Sequence, residues 1–526
     1  MTYQLPGVYV REVPAQTQVT VPPTTTTAVF IGTALRGPSN PTLITSWSNY
    51  TTVFGPLSND YDLGYAVYNY FANGGGATYV SRVTDSGAAA AAYTFSGTVS
   101  STSTTLFALT AKSVGTWANS SATDNGLRAQ ITFDRNTCTA TGTSATITSS
   151  TVFSLSIIYN GLEVERWQEL SLDPTSGRYV KDVLNLFSSY VTCGTPVTLA
   201  SGSTMVVVVA DGTYATASSA FASGTNGTAP ANDTEKATLW YTILSGNGGT
   251  IQGYDNIKNP LLINFVGQVI KDVVDKALLY ASERGDSFVI IDCGKSDDYS
   301  AAAARDYGTT ATKGFGAAYF PALVMGDPAR SGPAALRTCF PGGAVAGAYV
   351  RSENTRGVAK APAGYSLELS NVYGLSTSVT ATQESTLYST KGTNVFRSLP
   401  GGTFVINGAR TLSTNRASKY ITVRRSLNYV KALVQAQTAF AVFEPNDSRL
   451  WDSINNRLSS VLTGFWASGN LKGKSPSEAF YIICNSTNNT PSTIDDGFVN
   501  VEIGVALLSP AEFIVININQ WSGTNA

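Results

Sequence analysis

The stretch FEPNDSRLWDSINNRLSSVLTGFWASGNLKG, residues 443–473, reads as a capped amphipathic helix. Leu450, Ile454, Leu458, Val461 and Phe465 recur at steps of three and four, the spacing that stacks side chains on one face of an α-helix. Asn446 and Asp447 stand before it, where a side-chain oxygen can accept from the free N–H groups of the first turn. Upstream, Arg424 to Gln437 offers another helix with Leu427, Val430 and Val434 on one face. Downstream, Ser475-Pro476-Ser477-Glu478 has the form of a capping box with proline at the first helical position, and Phe480 to Cys484 then reads as a strand. Val499, Val501, Ile503 and Val505 alternate at the two-residue period of a strand, and Ile514, Ile516 and Ile518, interleaved with Val515, Asn517 and Asn519, repeat it beyond Ser509-Pro510. That last strand, separated from the body, reads as a detachable arm.

The other end mirrors it. In Leu5-Pro6-Gly7-Val8-Tyr9-Val10-Arg11-Glu12-Val13, Val8 and Val10 alternate with Tyr9 and Arg11, while Pro6 and Pro14 limit the run. Thr17 to Thr27, with Pro22-Pro23, is too rich in proline and β-branched residues for a helix and predicts an extended tether. A short strand on a tether suits exchange between subunits; the plainer reading is a strand folded back onto its own sheet. From Ala28 to Val83 the pattern is strand (Ala28 to Gly32), helix (Leu63 to Phe71), helix stop at Asn73-Gly74-Gly75-Gly76, and strand (Ala77 to Val83), a βαβ-like unit. The glycines follow a helix and precede no Gly-Lys-Ser/Thr, so they fit termination better than a phosphate loop.

From about Asp85 to Asn247 the chain turns rich in Ser, Thr, Gly and Ala. It offers strands at Thr105 to Leu109, Leu127 to Phe133, Val152 to Tyr159, Leu162 to Trp167 and Met205 to Ala210, with one helix near Tyr179 to Tyr190, the pattern of a β-rich insertion. Residues 255–365 return to α/β character: Phe265, Val269, Val273, Ala277 and Tyr280 predict a helix, and Ser287 to Asp292 a buried strand.

Composition excludes several functions. Only 13% of the 526 residues are Asp, Glu, Lys or Arg, against about 25% in an average soluble protein, and such a surface suits packing against copies of itself. A net charge of −1 without long basic runs argues against nucleic acid, and the apolar runs at Met205 to Ala210 and Ile503 to Leu508 are too short to cross a membrane. With no basic segment leading into an apolar one, the start predicts a soluble chain without a secretion signal. Five scattered cysteines without a C-x-x-C pair read as structural thiols of a reducing cytoplasm. The chain has no histidine, which removes Ser-His-Asp and Cys-His catalysis and His-ligated metals together. Glu163 and Glu165, two apart in a strand, would face the same way as a glycosidase or metal site requires, though solvent-facing strand residues alternate identically. Asp297-Asp298 and Asp495-Asp496 lack a calcium-loop pattern and read as turns. Gly246-Asn247-Gly248-Gly249 reads as a linker. No cofactor or metal is expected.

The blocks PGVYVREV, AVFIGTALRGPSNPTLITSWSNYTTVFG, LGYAVYNYFANGGGATYVSRV, KALLYASERGDSFVIID, AAYFPALVMGDP, GGAVAGAYVRSENTRGVAKAPAG and the 443–473 segment resemble, in order and spacing, the tail sheath proteins of contractile phage tails and related injection machines. The resemblance covers roughly residues 1–83 and 255–526. It implies a multidomain α/β and α+β fold with mixed sheets: an N-terminal exchange arm (1–27), the first part of the core (28–84), a β-rich outer insertion (85–250), a subtilisin-like domain without catalysis (251–390), a C-terminal sheath domain (391–508) and a C-terminal exchange arm (509–526). It also implies a helical homopolymer around an inner tail tube protein, ended by baseplate and tail terminator proteins, in a virion tail assembled in the bacterial cytoplasm. Strands carrying Val8, Tyr9, Val10 and Val13 from one subunit, and Ile514, Ile516 and Ile518 from another, would add to a sheet containing Val499, Val501, Ile503 and Val505. Arg424, Arg425, Lys431, Lys472 and Lys474 are the candidates to face the tube. The rivals are a non-contractile virion structural protein, which needs no coupled arms, and a virion-borne envelope-degrading enzyme, which needs an acid/base pair in a cleft.

Overall fold

The computed structural model describes residues 26–120, 126–200, 202–210, 213–230, 232–244, 250–332 and 335–512. The first strand, β1 (Thr27–Thr33), is followed by β2 (Thr42–Ile44), α1 (Trp47–Phe54), α2 (Leu63–Ala72) and β3 (Thr78–Val83). β1 and β3 run parallel, so the βαβ reading holds; α1 and the three-residue β2 are too short to have shown a period.

Between β3 and its next neighbour in the large sheet the chain builds a separate β unit. It comprises β4 (Ala92–Val99), β5 (Thr102–Ala111), β6 (Leu127–Phe133), β7 (Thr139–Thr141), β8 (Ser144–Ile147), β9 (Val152–Tyr159), β10 (Leu162–Ser171), α3 (Val180–Phe187), β11 (Val191–Cys193), β12 (Met205–Val208) and β13 (Ser219–Ala220). All five strands and the helix expected in this region are present. The strands form an antiparallel six-stranded sheet, β11-β5-β4-β12-β8-β7, and a four-stranded one, β10-β9-β6-β13. Their alternating apolar residues meet in one core, where the Phe107 and Phe153 rings lie 5.9 Å apart across the two sheets. Entry and exit are adjacent: Ser86 bridges Thr228 and Ala89 bridges Thr225.

The chain then returns through α4 (Asp233–Leu244), β14 (Leu261–Phe265), α5 (Lys271–Arg284), β15 (Ser287–Ile291), α6 (Tyr299–Ala304), β16 (Gly316–Phe320), β17 (Leu323–Gly326), β18 (Leu336–Cys339), α7 (Gly342–Arg356), β19 (Val372–Leu375), α8 (Ala381–Thr386), β20 (Asn394–Ser398) and β21 (Phe404–Asn407). The large sheet has eight strands in the order β2-β3-β1-β14-β15-β16-β20-β21. Its six central strands are parallel and both edge strands antiparallel. Ala28 and Phe30 of β1 pack with α2 and α7 on one face; Val29 and Ile31 pack with α4 and α5 on the other. At the α2–α7 crossing a Cβ on Gly343 would lie 2.1 Å from the Ala66 carbonyl oxygen, so only glycine permits this approach.

Three expectations are corrected here. Phe265 ends a fully buried strand and Gly267 turns the chain at φ +74°, so the helix expected from Phe265 begins at Lys271; Phe265 and Val269 shared its period by coincidence. The large sheet runs past the boundary expected at residue 390, because β20 and β21 complete it. The β-rich unit stops short of residue 250: α4 places Ala237 and Trp240 in the core under β14, with the Trp240 and Phe265 rings 5.8 Å apart.

The C-terminal unit follows as α9 (Ile421–Thr438), α10 (Ser448–Ala467), α11 (Pro476–Ala479), β22 (Phe480–Ile483), α12 (Pro491–Asp495) and β23 (Glu502–Val505). Asp447 caps α10, accepting from the Arg449 and Leu450 N–H groups at 3.0 Å each. Its buried face is Leu450, Ile454, Leu458, Leu462 and Phe465, so Leu462 takes the place expected of Val461. On α9 Leu427 is exposed and the inward face is largely polar, with Arg425 and Asn428 making buried hydrogen bonds where an apolar face was expected. The Ser475–Glu478 capping box does not close: Glu478 accepts from the Lys474 N–H at 2.8 Å instead.

Candidate functional site

The C-terminal unit carries a two-stranded sheet of its own. β22 and β23 are antiparallel, with Phe480 opposite Val505 and Ile482 opposite Ile503, and these four residues pack toward α10. Tyr481 on the outer face lies over Gly504, where a Cβ would stand 2.0 Å from its ring, and its hydroxyl donates to Glu502 Oε1 at 2.9 Å. Among the described residues no third strand pairs with either edge of this sheet. Ile503 and Val505 lie in β23, whereas Val499 and Val501 precede it and pack beside α10, so the strand is shorter than expected. Val8, Tyr9, Val10, Val13, Ile514, Ile516 and Ile518, like Gly246 to Gly249, lie outside the described residues.

Each end of the described chain is held by an arginine–glutamate pair. At the N-terminal end Thr26 donates its N–H to Glu353 Oε1 at 3.0 Å and its hydroxyl to Oε2 at 2.7 Å. Arg425 pairs with the same carboxylate, donates to Thr26 Oγ1 at 3.1 Å, and stacks its guanidinium over Tyr349 at 4.7 Å. Glu353, on the last turn of α7, and Arg425, on α9, are both almost fully buried. At the other end Arg410 donates to Glu512, Nε to Oε1 at 2.8 Å and Nη2 to Oε2 at 2.6 Å; Tyr388 adds a hydroxyl bond at 2.6 Å and Tyr420 one at 3.4 Å. Burial works against the Glu512 charge, but the hydrogen bonds and charge of Arg410 and the Tyr388 hydroxyl outweigh it and hold the carboxyl below its usual range.

The five cations expected to face outward divide. Arg425 is buried in the Thr26 anchor, so it is unavailable to an outside partner. Arg424 is partly buried, its guanidinium 4.2 Å from the Phe315 ring centroid, and burial lowers its pKa. Lys431 is exposed and reaches the Arg284 carbonyl at 3.3 Å; Lys472 and Lys474 are exposed on the turn leading to α11. Sequence spacing could not have found Glu353, Arg410 or Glu512, whose ion-pair partners lie 72 positions away for Glu353 and 102 for the Arg410–Glu512 pair.

Among the described residues, Glu165, Asp297 and Asp298, carboxylates singled out by the sequence, have structural partners. A bulge between Glu163 and Glu165 sets them opposite consecutive residues, Ile158 and Ile157, so they do not share a face as expected. Glu165 accepts from Trp167, Ser188 and the Ser189 N–H. Asp297 pairs with Arg305, and Asp298 caps α6. Asp292, at the end of β15, has a pKa pushed up to about 6 by burial, partly opposed by hydrogen bonds from Gly267, Asn264 and Gly342. Its neighbour Cys293 is held protonated by burial and by the Asp292 and Asp297 charges. Among the described residues no three His, Cys, Asp or Glu side chains are grouped to hold a metal ion.

Residues 413–520, spanning this helix pair, the two-stranded sheet and the Glu512 anchor, match the phage tail sheath C-terminal domain. The tail sheath protein of Enterobacteria phage T4 is 29% identical over 154 residues, covering 29% of this chain. The C-terminal part of this chain is thus similar to phage tail sheath proteins. That alignment spans 22% of the T4 protein's own length. The fold agrees over much more of the chain. The contracted helical sheath of the anti-feeding prophage superposes with a TM-score of 0.54 at 18% identity, covering 99% of this chain and 100% of that one. The sheath tail protein of Listeria innocua gives a TM-score of 0.57 at 11% identity over 88% and 89% of the two chains.

Proposed function

We propose that this chain is the structural subunit of a contractile sheath, of a phage tail or an injection system, that polymerises helically around an inner tube and performs no catalysis. The observation that carries this is the β22–β23 sheet, with both edges unpaired among the described residues while both ends of the described chain are fastened to the body beside strand-patterned segments. Val8 to Val13 of one neighbour and Phe513 to Gln520 of another complete that sheet, joined by backbone hydrogen bonds that tolerate varied side chains. The large sheet, made by residues 28–84 and 251–407, moves as one body; the β-rich insertion faces outward; the arms bend at their roots. Contraction draws its energy from apolar surface newly buried between subunits. Baseplate and terminator proteins end the polymer, and the tube lies against Lys431, Lys472 and Lys474. Absence of histidine and the lack of an acid/base pair at Asp292 support a mechanical role.

Electron microscopy of the purified chain tests this. Hollow cylinders are expected from the full chain, and folded monomers after deletion of residues 1–14 or after Val10→Pro, which removes a ladder donor. Discrete particles from the full chain, or cylinders from the truncated one, would overturn it.

A further inference from the structure

The turn joining α9 to α10 forms an apolar knob. Val442 and Phe443 are exposed on it, and Phe443 holds φ +68°, a left-handed conformation that costs a bulky residue about 1–3 kcal/mol and is kept where the side chain serves a contact. Asn446 donates to the Phe498 carbonyl at 2.9 Å, which brings a third exposed apolar residue to the same turn. Glu444 beside Phe443, and Asp495 and Asp496 ahead of Phe498, are exposed and have no cation within 4 Å among the described residues. At the far end of the helix pair a groove of about 550 Å³ opens between α7, α9 and α10. Val358, Leu433 and Val461 line it, and the Tyr429 and Phe465 rings, stacked 5.3 Å apart, give it an aromatic face. Glu353, which also lines it, is already paired with Arg425. Arg356 in the last turn of α7 and Lys360 just beyond have no carboxylate within 4 Å among the described residues, and burial together with the Arg356 charge lowers the Lys360 pKa. The rim is therefore basic where the knob is acidic. Val461 lies ~20 Å along α10 from Ser448, so the knob of a chain stands away from its own groove.

We propose that the Phe443 knob of one copy of this chain seats in the α7–α9–α10 groove of a second copy. The ring meets apolar walls and the Tyr429–Phe465 face, and both surfaces leave water. The Glu444, Asp495 and Asp496 charges meet Arg356 and Lys360, which sets the orientation of the two bodies. Knob and groove are different surfaces of one chain, so the contact is head-to-tail: each copy keeps a free knob at one end and a free groove at the other, and the string continues as an open helix when the rotation does not close. The contact rests on the polymer reading above and adds a joint between folded bodies that does not pass through the terminal arms.

Phe443→Gly in the full chain separates the contact from folding. Glycine adopts φ +68° without strain, so the monomer should melt no lower than the unaltered chain, while the concentration needed for cylinders, read by sedimentation and electron microscopy, should rise several-fold. Crosslinking reads the position. Chain carrying Val442→Cys is mixed with chain carrying Ser468→Cys, a substitution in the groove lining, and the assembled mixture is treated with a bismaleimide. Each chain carries only one of the two substitutions, so a 442–468 link found by mass spectrometry joins two copies. That link is expected, and it should vanish when Phe443→Gly is added to the first chain. A link that persists in that variant would overturn the proposal, and links from position 442 or 468 only to other sites would assign the knob or the groove a different occupant and overturn it too. Failure of the unaltered chain to form cylinders would sink the assembly reading and this contact together. Cylinders that form at the same concentration with Phe443→Gly would sink the contact alone.

Discussion

Arg410 grips Glu512 through two parallel hydrogen bonds of 2.8 and 2.6 Å, with the Tyr388 ring 4.0 Å beneath the guanidinium, at the residue where the described chain ends. Asn394 in turn fixes the Arg410 backbone, accepting its N–H at 2.9 Å and donating to its carbonyl at 2.8 Å. The end of the described chain is thus tied through Arg410 to strand β20 of the large sheet. Arg410→Met should leave a partly buried carboxylate without its cation and cost about 2–4 kcal/mol locally. Because the clasp holds a terminus and not the core, the midpoint of global urea unfolding should move little. Protease cleavage after residue 512 should rise several-fold; unchanged cleavage would show that Arg410 does not hold the root.

The same clasp carries a pH signature. Glu512 has its pKa lowered in the folded chain, so its contribution is complete above the unfolded glutamate value and is lost as pH falls through the lower, folded one. Cleavage beyond residue 512 should therefore stay flat from pH 7 to about 5 and climb below the ordinary glutamate pKa of about 4.3. With Glu512→Gln the rise should disappear. An equal rise in that variant would place the acid sensitivity elsewhere.

Arg425 makes a different prediction from the one its place in the sequence suggested. Buried against Glu353, Thr26 and Tyr349, it anchors the start of β1. Arg425→Met should leave the Glu353 charge buried and unpaired, at a cost of about 3–5 kcal/mol, read as an earlier denaturation midpoint. Normal stability with weakened tube binding would restore Arg425 to the outer surface.

What the sequence revealed and what it hid follow one physical division. Strands such as Leu127 to Phe133 and Val152 to Tyr159 were legible because one face is buried and their alternation records it. Helix α10 was legible from its cap and its apolar stripe. Helix α9 was only half legible, since its inward face carries Arg425 and Asn428, whose partners come from α7 and β15. The Arg425–Glu353 and Arg410–Glu512 pairs were invisible for the same reason: an ion pair across 72 or 102 positions has no period. Arg36 belongs to this class. Its guanidinium lies 5.3, 5.2 and 4.6 Å from the rings of Trp117, Tyr159 and Tyr190, joining the core to the β-rich unit in a way that only the assembled fold displays.

That junction predicts where the β-rich unit can be cut out. Replacing residues 87–227 by a short Gly/Ser turn joins positions that already bridge at Ser86 and Thr228 and leaves α4 in place. The shortened chain should fold and still form cylinders, at a modest cost from uncovering Arg36, whose cation–π contacts are worth about 0.5–2 kcal/mol. Deleting 85–247 instead also strips Trp240 and Ala237 from the core under β14, and should give insoluble chain. Equal solubility of the two deletions would mean that α4 contributes nothing to that core.

Lys472 and Lys474 are exposed on the turn between α10 and α11, where neither side chain has a carboxylate within 4 Å among the described residues. On the proposed reading the sheath grips its tube weakly enough to release it, and exposed charges suit this: each pair contributes about 0.2–1 kcal/mol, is screened by salt, and sums along the polymer. Lys472→Glu with Lys474→Glu should therefore lower the yield of extended sheath on tubes while sparing tube-free contracted cylinders, and added salt should reproduce the defect in the unaltered chain. Because both side chains point away from the folded core, the melting temperature should not change. Equal loss of both polymer forms would mark a lattice contact instead, and no loss of either would place the tube surface elsewhere, with Lys431 on α9 the next cation to reverse.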